Sequence, residues 1–354
     1  MQTSPTDPND DTFPAASVVI PVRNEERTIE RCLHSVIEQD YPRDRLEILV
    51  FDGGSTDRTR ETVERIAASA NVSVRLFANP GRYVSPALNA AIEVAAGEFL
   101  IRVDGHSFPN PNYVRDSIRG NLEHDADLAG GWLDAVGEGK VGRAAATALA
   151  SSFGMGNPSL WRRPDTPLEV DSVNCGSYRL TALRAIGGFD EAQRANQDFE
   201  ANYRLRRAGG RLVVLPEVSH RYVARDSFRR LARQFARYGF YKARVMLKHP
   251  ASIRARHLVP ATGLVIVLAA AVLATRWPPA TWILAVVTAG YLLLLVYASV
   301  RAARGLGQAA LLLPAAFATM HLAWAIGNLA GLVRWLPILL REDRGLGGAD
   351  PGSR

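Results

Sequence analysis

Short apolar runs alternate with amphipathic stretches along the first hundred residues. Ser17–Val22 and Glu47–Phe51 predict buried strands. Between them, Thr28–Gln39 carries Ile29, Leu33, Val36 and Ile37 at helical spacing and stops just before Tyr41-Pro42, as helices do near proline. Asp57 or Thr59 then caps a helix reaching Ala68. Val72–Phe77 predicts a third strand, Pro86–Ala96 a helix and Glu98–Val103 a fourth strand. Alternation at this interval predicts an α/β fold of right-handed βαβ units, with a parallel sheet covered by helices.

The pattern changes after residue 257. Leu258–Thr275, Trp277–Val300 and Gly305–Val333 hold no charged residue, in runs of 18, 24 and 29. Each is long enough to cross a hydrocarbon core of about 30 Å as a helix. Pro314 and Gly327 allow the third run to tilt or bend, and His321 within it is expected to pack on a neighbouring helix.

Averages conceal this division. The 354 residues are 47% hydrophobic and 22% charged, with a net charge of +7 and a mean hydropathy of −0.03, which reads as an ordinary basic soluble protein. Yet residues 1–220 carry 24 Lys+Arg against 31 Asp+Glu, a net of −7. Residues 221–256 carry 11 basic residues against Asp226 alone, a net of +10, and the last 98 residues add 7 against 3, or +4. The basic excess thus lies directly before the first apolar run, where it suits anionic headgroups at a cytoplasmic leaflet better than nucleic acid. Cys32 and Cys175 offer neither a disulfide framework nor a metal pattern, which fits a reducing compartment. The polar, Pro/Asp-rich start lacks the basic and apolar regions of a signal peptide, so the N-terminal domain is expected in the cytoplasm.

In open α/β sheets ligands sit at the carboxyl ends of the strands. Pro21-Val22-Arg23-Asn24-Glu25-Glu26 follows the first strand, Asp52-Gly53-Gly54-Ser55-Thr56-Asp57 the second, and Asp104-Gly105-His106 the fourth. Singly, Asp57 reads as a helix cap and Gly53-Gly54 as a turn. Jointly, in this order, they mark a nucleotide site.

These segments resemble the family 2 inverting glycosyltransferases, which have a GT-A (Rossmann-like) nucleotide-sugar-binding domain; the likeness runs over residues 16–240. It implies that Asp52 hydrogen-bonds the nucleobase and that Pro21, Val22, Arg23, Glu25, Asn89 and Asp104 belong to the nucleotide-sugar site. Gly53 stands in place of the second Asp of the family's Asp-Asp-Gly-Ser-x-Asp motif. Asp104-Gly105-His106 stands where the family has Asp-x-Asp, which implies a divalent cation, Mn2+ or Mg2+, on Asp104 and His106. An imidazole ligand favours Mn2+ over Mg2+, and the alternative is that His106 merely caps the strand. Asp-x-His combined with Asp-Gly-Gly-Ser is similar to the succinoglycan-type exopolysaccharide glucosyltransferase subgroup.

Asn174–Arg179 followed by Ile186–Glu191 resembles the family's acceptor-side segment, which puts Gly176 and Ser177 there. Gln197-Asp198-Phe199-Glu200 with Tyr203–Gly209 resembles its Glu-Asp-x-Asp/Glu…Arg…Ala-Gly helix. That match implies Asp198 as the general base, with Gln197 beside it on the acceptor side. Inversion by one in-line displacement needs a single carboxylate opposite the leaving diphosphate. A helix-start carboxylate stabilised by the macrodipole is a compatible structural role. Gln234-Phe235-Ala236-Arg237-Tyr238 resembles the Gln-x-x-Arg-Trp motif of polymerising members, implying Arg237 as a diphosphate clamp and Tyr238 as a sugar-stacking face. Phe228, Leu231, Phe235 and Tyr238 also predict one apolar face of a helix lying in the membrane interface, with Arg229, Arg230 and Arg233 in water.

The expected division is a disordered tail at 1–15, a GT-A domain at 16–220 and a basic interfacial helical segment at 221–256. A membrane domain of about three transmembrane helices follows at 257–340, then a flexible tail at 341–354. The resemblance implies a multi-pass enzyme of the cytoplasmic membrane. It would move a sugar, glucose by subgroup, from a UDP-sugar to a polyprenyl-diphosphate-linked acceptor in exopolysaccharide or cell-envelope glycan synthesis. Membrane lipids are expected partners and nucleic acid is not. A processive synthase and a non-catalytic membrane scaffold are the alternatives. Three spans and Tyr238 in place of Trp argue against the first, and Asp52, Asp104 and Asp198 against the second.

Overall fold

The computed structural model describes residues 13–156 and 160–343, so the expected tails lie outside the described residues except at 13–15 and 341–343. The predicted alternation is observed, with boundaries moved by a residue or two. It runs β1 (Ala16–Val22), α1 (Ile29–Ile37), β2 (Leu46–Asp52), α2 (Thr59–Ser69), β3 (Ser73–Ala78), α3 (Val84–Val94) and β4 (Phe99–Arg102). The chain continues through α4 (Tyr113–Glu123), β5 (Leu128–Val136), α5 (Gly139–Leu149), α6 (Ser152–Met155), β6 (Leu168–Glu169) and β7 (Gly176–Arg179). Then come α7 (Leu180–Ala185), α8 (Gln197–Arg207), β8 (Leu212–Val223), α9 (Phe228–Lys248), α10 (Ala255–Ala274), α11 (Pro279–Ala302) and α12 (Leu313–Asp343).

The strands form one eight-stranded sheet in the order β3-β2-β1-β4-β7-β5-β8-β6. β3, β2, β1 and β4 are parallel, as expected; β7 then runs antiparallel to both β4 and β5, and β6 antiparallel to β8. The sheet is therefore mixed beyond β4. Side chains alternate between its faces. Val18 and Ile20 join a core with Ile29, Leu33 and Val36 of α1 and Val114 and Ile118 of α4. Val19 and Leu49 join a second core with Leu88 and Ile92 of α3 and Leu205 of α8. Both faces are buried, which is why the strands read as continuous apolar runs.

The chain divides into two compact units, residues 1–134 with 159–222, and residues 135–158 with 223–354. The sequence division followed chain order; the structure instead groups α5 and α6 with the C-terminal helices. In this second unit three apolar helical segments, Ala255–Ala274, Pro279–Ala302 and Gly307–Arg341, are long enough to cross a membrane. The expectation of an apolar α9 face turned to lipid is corrected. Leu231, Phe235, Gly239, Ala243 and Met246 are buried, and α9 packs along α12. Close approach is possible because Gly327 and Gly331 leave room for the backbone of Ala236 and Phe240, while a Cβ on Gly239 would overlap the Trp324 carbonyl. The Asn328 amide donates to the Gly239 carbonyl at 3.3 Å. His321 bridges its neighbours as expected. Its Nε2 lies 2.7 Å from the Phe153 carbonyl, which only accepts, so Nδ1 accepts from the Tyr291 hydroxyl at 3.2 Å.

Candidate active site

All of the site described here lies in the first unit. The loops after β1 and β2 are laced together. Asn24, with φ of 56°, donates its N–H to Ser55 Oγ at 2.9 Å and accepts from the Thr56 N–H at 2.8 Å. Asp57 accepts from both the N–H and the hydroxyl of Thr59, and from the Glu26 N–H, so it ties the two loops besides starting α2. Asp52 ends β2 at 6% exposure and accepts from the Ser55 N–H and hydroxyl at 3.1 and 2.6 Å. The glycine after it has a steric reason. A Cβ on Gly53 would come within 3.2 Å of the Arg82 carbonyl and 3.4 Å of the Val22 carbonyl, leaving little room for the family's second Asp. Pro21 and Val22 close β1, and Arg23 is exposed in the loop beyond.

Around the end of β4 the charges converge. Arg102 is buried and donates Nε and Nη2 to Asp104 Oδ1, both at 2.9 Å. Burial works against the Asp104 charge, but the Arg102 guanidinium holds its carboxyl below the usual range. His106 Nδ1 lies 3.0 Å from Glu25 Oε1, and Glu25 Oε2 accepts from the Thr28 hydroxyl at 2.9 Å. Carboxylates commonly orient a metal-binding imidazole in this way, through the nitrogen that does not face the ion.

Asp198 lies in the first turn of α8, two residues after Asn196, which is in the left-handed region at φ 57°. Burial raises its carboxyl above the ordinary value, with Arg102 and the Phe199 N–H opposing and Asp104 adding to the rise. Asp104 and Asp198, distant in sequence, thus both feel the Arg102 charge. α8 itself is fastened by Arg204, which pairs with the buried Glu200 and donates to the carbonyls of Ile186 and Gly188. Asn89 grips the same loop: its amide donates to the Phe189 carbonyl at 2.9 Å and accepts the Phe189 N–H at 2.7 Å.

The acceptor-side assignment of Gly176 and Ser177 needs correction. Both are β7 residues; Ser177 is fully buried in the sheet, and a Cβ on Gly176 would strike the Ala129 carbonyl of β5. Gln197 opens α8 beside Asp198. Arg237 is exposed on α9, and Tyr238 accepts from Gln234 Nε2 at 2.8 Å; both belong to the second unit.

Two residues of the cluster escaped the sequence. Arg102 had a signal, a charge inside an otherwise apolar strand. His220 had none, being one polar residue among several on β8. It is 6% exposed, packs edge-on against Tyr113 at 4.5 Å, and its Nε2 has no hydrogen-bond partner among the described residues. Burial pushes its imidazole down to about 4. A neutral buried imidazole with an orphaned nitrogen is a donor suited to a divalent cation. Among the described residues no group of three or more His, Cys, Asp or Glu side chains is placed to hold a metal ion. Asp104 and His106 are the two donors the resemblance implies, and Arg102 occupies one oxygen of Asp104.

Residues 17–187 match the family model described as Glycosyl transferase family 2. The succinoglycan biosynthesis protein ExoA of Rhizobium meliloti (strain 1021) is 30% identical over 322 residues, 89% of this chain and 94% of that protein. The chain belongs to glycosyl transferase family 2. This family 2 transferase is also 28% identical over 239 residues to a Methanococcus voltae protein, covering 66% of this chain and 74% of that one. The relative is named dolichyl N-acetyl-alpha-D-glucosaminyl phosphate 3-beta-D-2,3-diacetamido-2,3-dideoxy-beta-D-glucuronosyltransferase. Among solved structures, the mannosyltransferase PcManGT from Pyrobaculum calidifontis, in complex with GDP-Man and Mn2+, superposes with a TM-score of 0.61 at 20% identity. That likeness covers 93% of this chain and 89% of the other, and it places the family 2 transferase in the GT-A fold.

Proposed function

We propose that the protein is an inverting glycosyltransferase of the cytoplasmic membrane, with its sheet domain in the cytoplasm. It moves a sugar, glucose in the first instance, from a UDP-sugar to a polyprenyl-diphosphate-linked acceptor in exopolysaccharide or cell-envelope glycan synthesis. The observation that carries this reading is the grouping of Asp104 and Asp198 around Arg102 at the carboxyl end of β4. The dolichyl-linked sugar in the name of the Methanococcus voltae relative and the apolar helices support a lipid-borne acceptor.

Each side chain then has a task. Asp52 accepts from the base of the nucleotide, with Pro21, Val22, Arg23 and Glu25 around it. Asp104 and His106 would hold Mn2+ or Mg2+, which when bound would neutralise charge on the leaving diphosphate, with His220 as a further candidate donor. Glu25 orients His106. Asn89 and Arg204 act at a distance by fixing the 186–190 loop against α8. Asp198 takes the proton of the acceptor hydroxyl on the face opposite the departing nucleotide, and its raised carboxyl makes it a stronger base than an exposed Asp. Arg237 and Tyr238 serve diphosphate and sugar.

The test is release of nucleoside diphosphate by the detergent-purified protein with Mn2+ and a panel of nucleotide sugars, with and without polyprenyl-linked acceptors. Acceptor-dependent release from a UDP-sugar supports the reading. Release of nothing from any donor would favour a scaffold.

A further inference from the structure

The turn after β3 borders the loop that follows β2. The Asn79 N–H donates to the Asp52 carbonyl at 2.8 Å, and a Cβ on Gly53 would come within 3.2 Å of the Arg82 carbonyl. Arg82 adopts the left-handed region at φ 60°, which costs a residue with a Cβ and persists only where its neighbours impose it. Here they do. The Arg82 N–H donates to the Asn79 carbonyl at 3.0 Å, and the Asn79 amide donates to the Tyr83 carbonyl at 2.9 Å. Tyr83 leaves this turn in extended geometry as the residue before α3, with its side chain exposed.

Residues 189–195 lead into α8 and Asp198, and they are fastened to α3 and its first turn. Asn89, which holds both polar groups of the Phe189 backbone, also donates to Glu191 Oε1 at 2.9 Å. Ser85, 1% exposed, donates its hydroxyl to the Gln193 carbonyl at 3.1 Å. The Arg194 guanidinium lies 4.2 Å from the centre of the Tyr83 ring, well inside the range of a cation–π contact. Arg194 precedes Asp198 by four residues. Of these contacts, the one nearest the candidate base in the chain is thus made by the turn that touches Asp52 and Gly53.

We infer that Tyr83 is a positioning residue: by holding Arg194 it ties the loop that carries Asp198 to the turn beside the nucleotide, so nucleotide binding steadies the base. The inference rests on the transferase reading above. It joins the donor half of the site to the acceptor half through two side chains that touch neither reacting group. A cation–π contact at an exposed site shifts an equilibrium by a factor of about two to five. Its loss therefore has a modest effect, and Ser85 and Asn89 keep the loop folded.

The experiment is hydrogen–deuterium exchange of the full-length protein in a neutral detergent, with and without UDP and Mn2+. It compares wild type with Y83A, Y83F, R194Q and Y83A/R194Q. In wild type, UDP is expected to slow exchange at residues 52–57 and also at residues 189–198. In Y83A and R194Q the first protection stays and the second falls by about two- to fivefold. Y83F keeps a ring face and is expected to behave as wild type. The double variant should match either single variant, because each removes the same contact. Turnover is the second readout: kcat is expected to fall about two- to fivefold in Y83A, at unchanged UDP affinity and melting temperature. Wild-type protection of 189–198 in Y83A, or additive losses in the double variant, overturns the inference. Nucleotide-sugar turnover by wild type separates the two readings. Release of nucleoside diphosphate without Tyr83-dependent protection overturns this inference alone. Protection through Tyr83 with no release from any nucleotide sugar overturns the transferase reading, and with it the role of Asp198 as the base being steadied.

Discussion

Arg102 sends Nε and Nη2 to the same oxygen of Asp104, each at 2.9 Å, from the end of β4, where it is 8% exposed. The pair is the electrostatic hinge of the cluster, because Asp198 feels the same guanidinium. Replacing Arg102 with Met removes the cation that offsets the charge of both carboxylates. The expected loss is about 2–3 kcal/mol, below the figure for a fully buried pair because Asp104 keeps some solvent. Thermal unfolding checks it, and R102K should lose less.

A base works only when deprotonated. The Asp198 carboxyl is raised, chiefly by burial, so transfer should fall on acidification from a higher pH than an exposed Asp would give. Arg102 opposes that rise, so R102K, which keeps the charge, should leave the acid limb of kcat nearly in place, while R102M moves it upward. A limb in the ordinary Asp range, or one indifferent to Arg102, contradicts this account.

Asp198→Asn keeps the shape and removes the base. Transfer should drop by about 10²–10⁴-fold, with nucleotide affinity close to wild type in calorimetry. Activity within tenfold of wild type would assign the proton to another group.

Mn2+ binding tests the cation ligands without reference to turnover. His106→Ala and His220→Ala should each weaken it. Glu25→Gln, which alters only the group behind His106, should cost about 10–100-fold. Electron paramagnetic resonance of free Mn2+ reads all three, and an unchanged affinity in His220→Ala removes that residue from the set.

The α9–α12 contact predicts a purely structural effect. A Leu at Gly327 has to displace the Ala236 backbone, so Gly327→Leu should destabilise the detergent-solubilised protein by about 1–3 kcal/mol or more. Melting temperature reports it; Gly290→Leu, where a Cβ meets nothing within 4 Å, is the control.

Much of this was legible in the chain. Period-two and period-3.6 patterns located β1 to β4 and α1 to α3 because both sheet faces are buried by helices. The three apolar segments were visible in runs without charge. Less legible were features that depend on which elements meet. β7 runs antiparallel, which no local pattern encodes, and so Ser177 became a core residue instead of an acceptor contact. Phe235 and Leu231 read correctly as an apolar face, but Gly327-x-x-x-Gly331, the spacing that supplies their cover, lay ninety residues away. His220 acquires meaning only beside Asp104, and that neighbourhood is tertiary.

After β5 the chain forms α5 and α6, which group with the C-terminal helices, before it reaches β6. The polypeptide therefore passes between the units three times, at 134, 158 and 222. α5 buries Ala144, Ala145, Ala148 and Leu149 and packs on α12. Truncation after residue 222 would strand that alanine face in water and yield a sticky fragment. A well-behaved soluble enzyme would need the 135–158 excursion replaced by a short turn as well. The chain order therefore weaves the two units together rather than appending one to the end of the other.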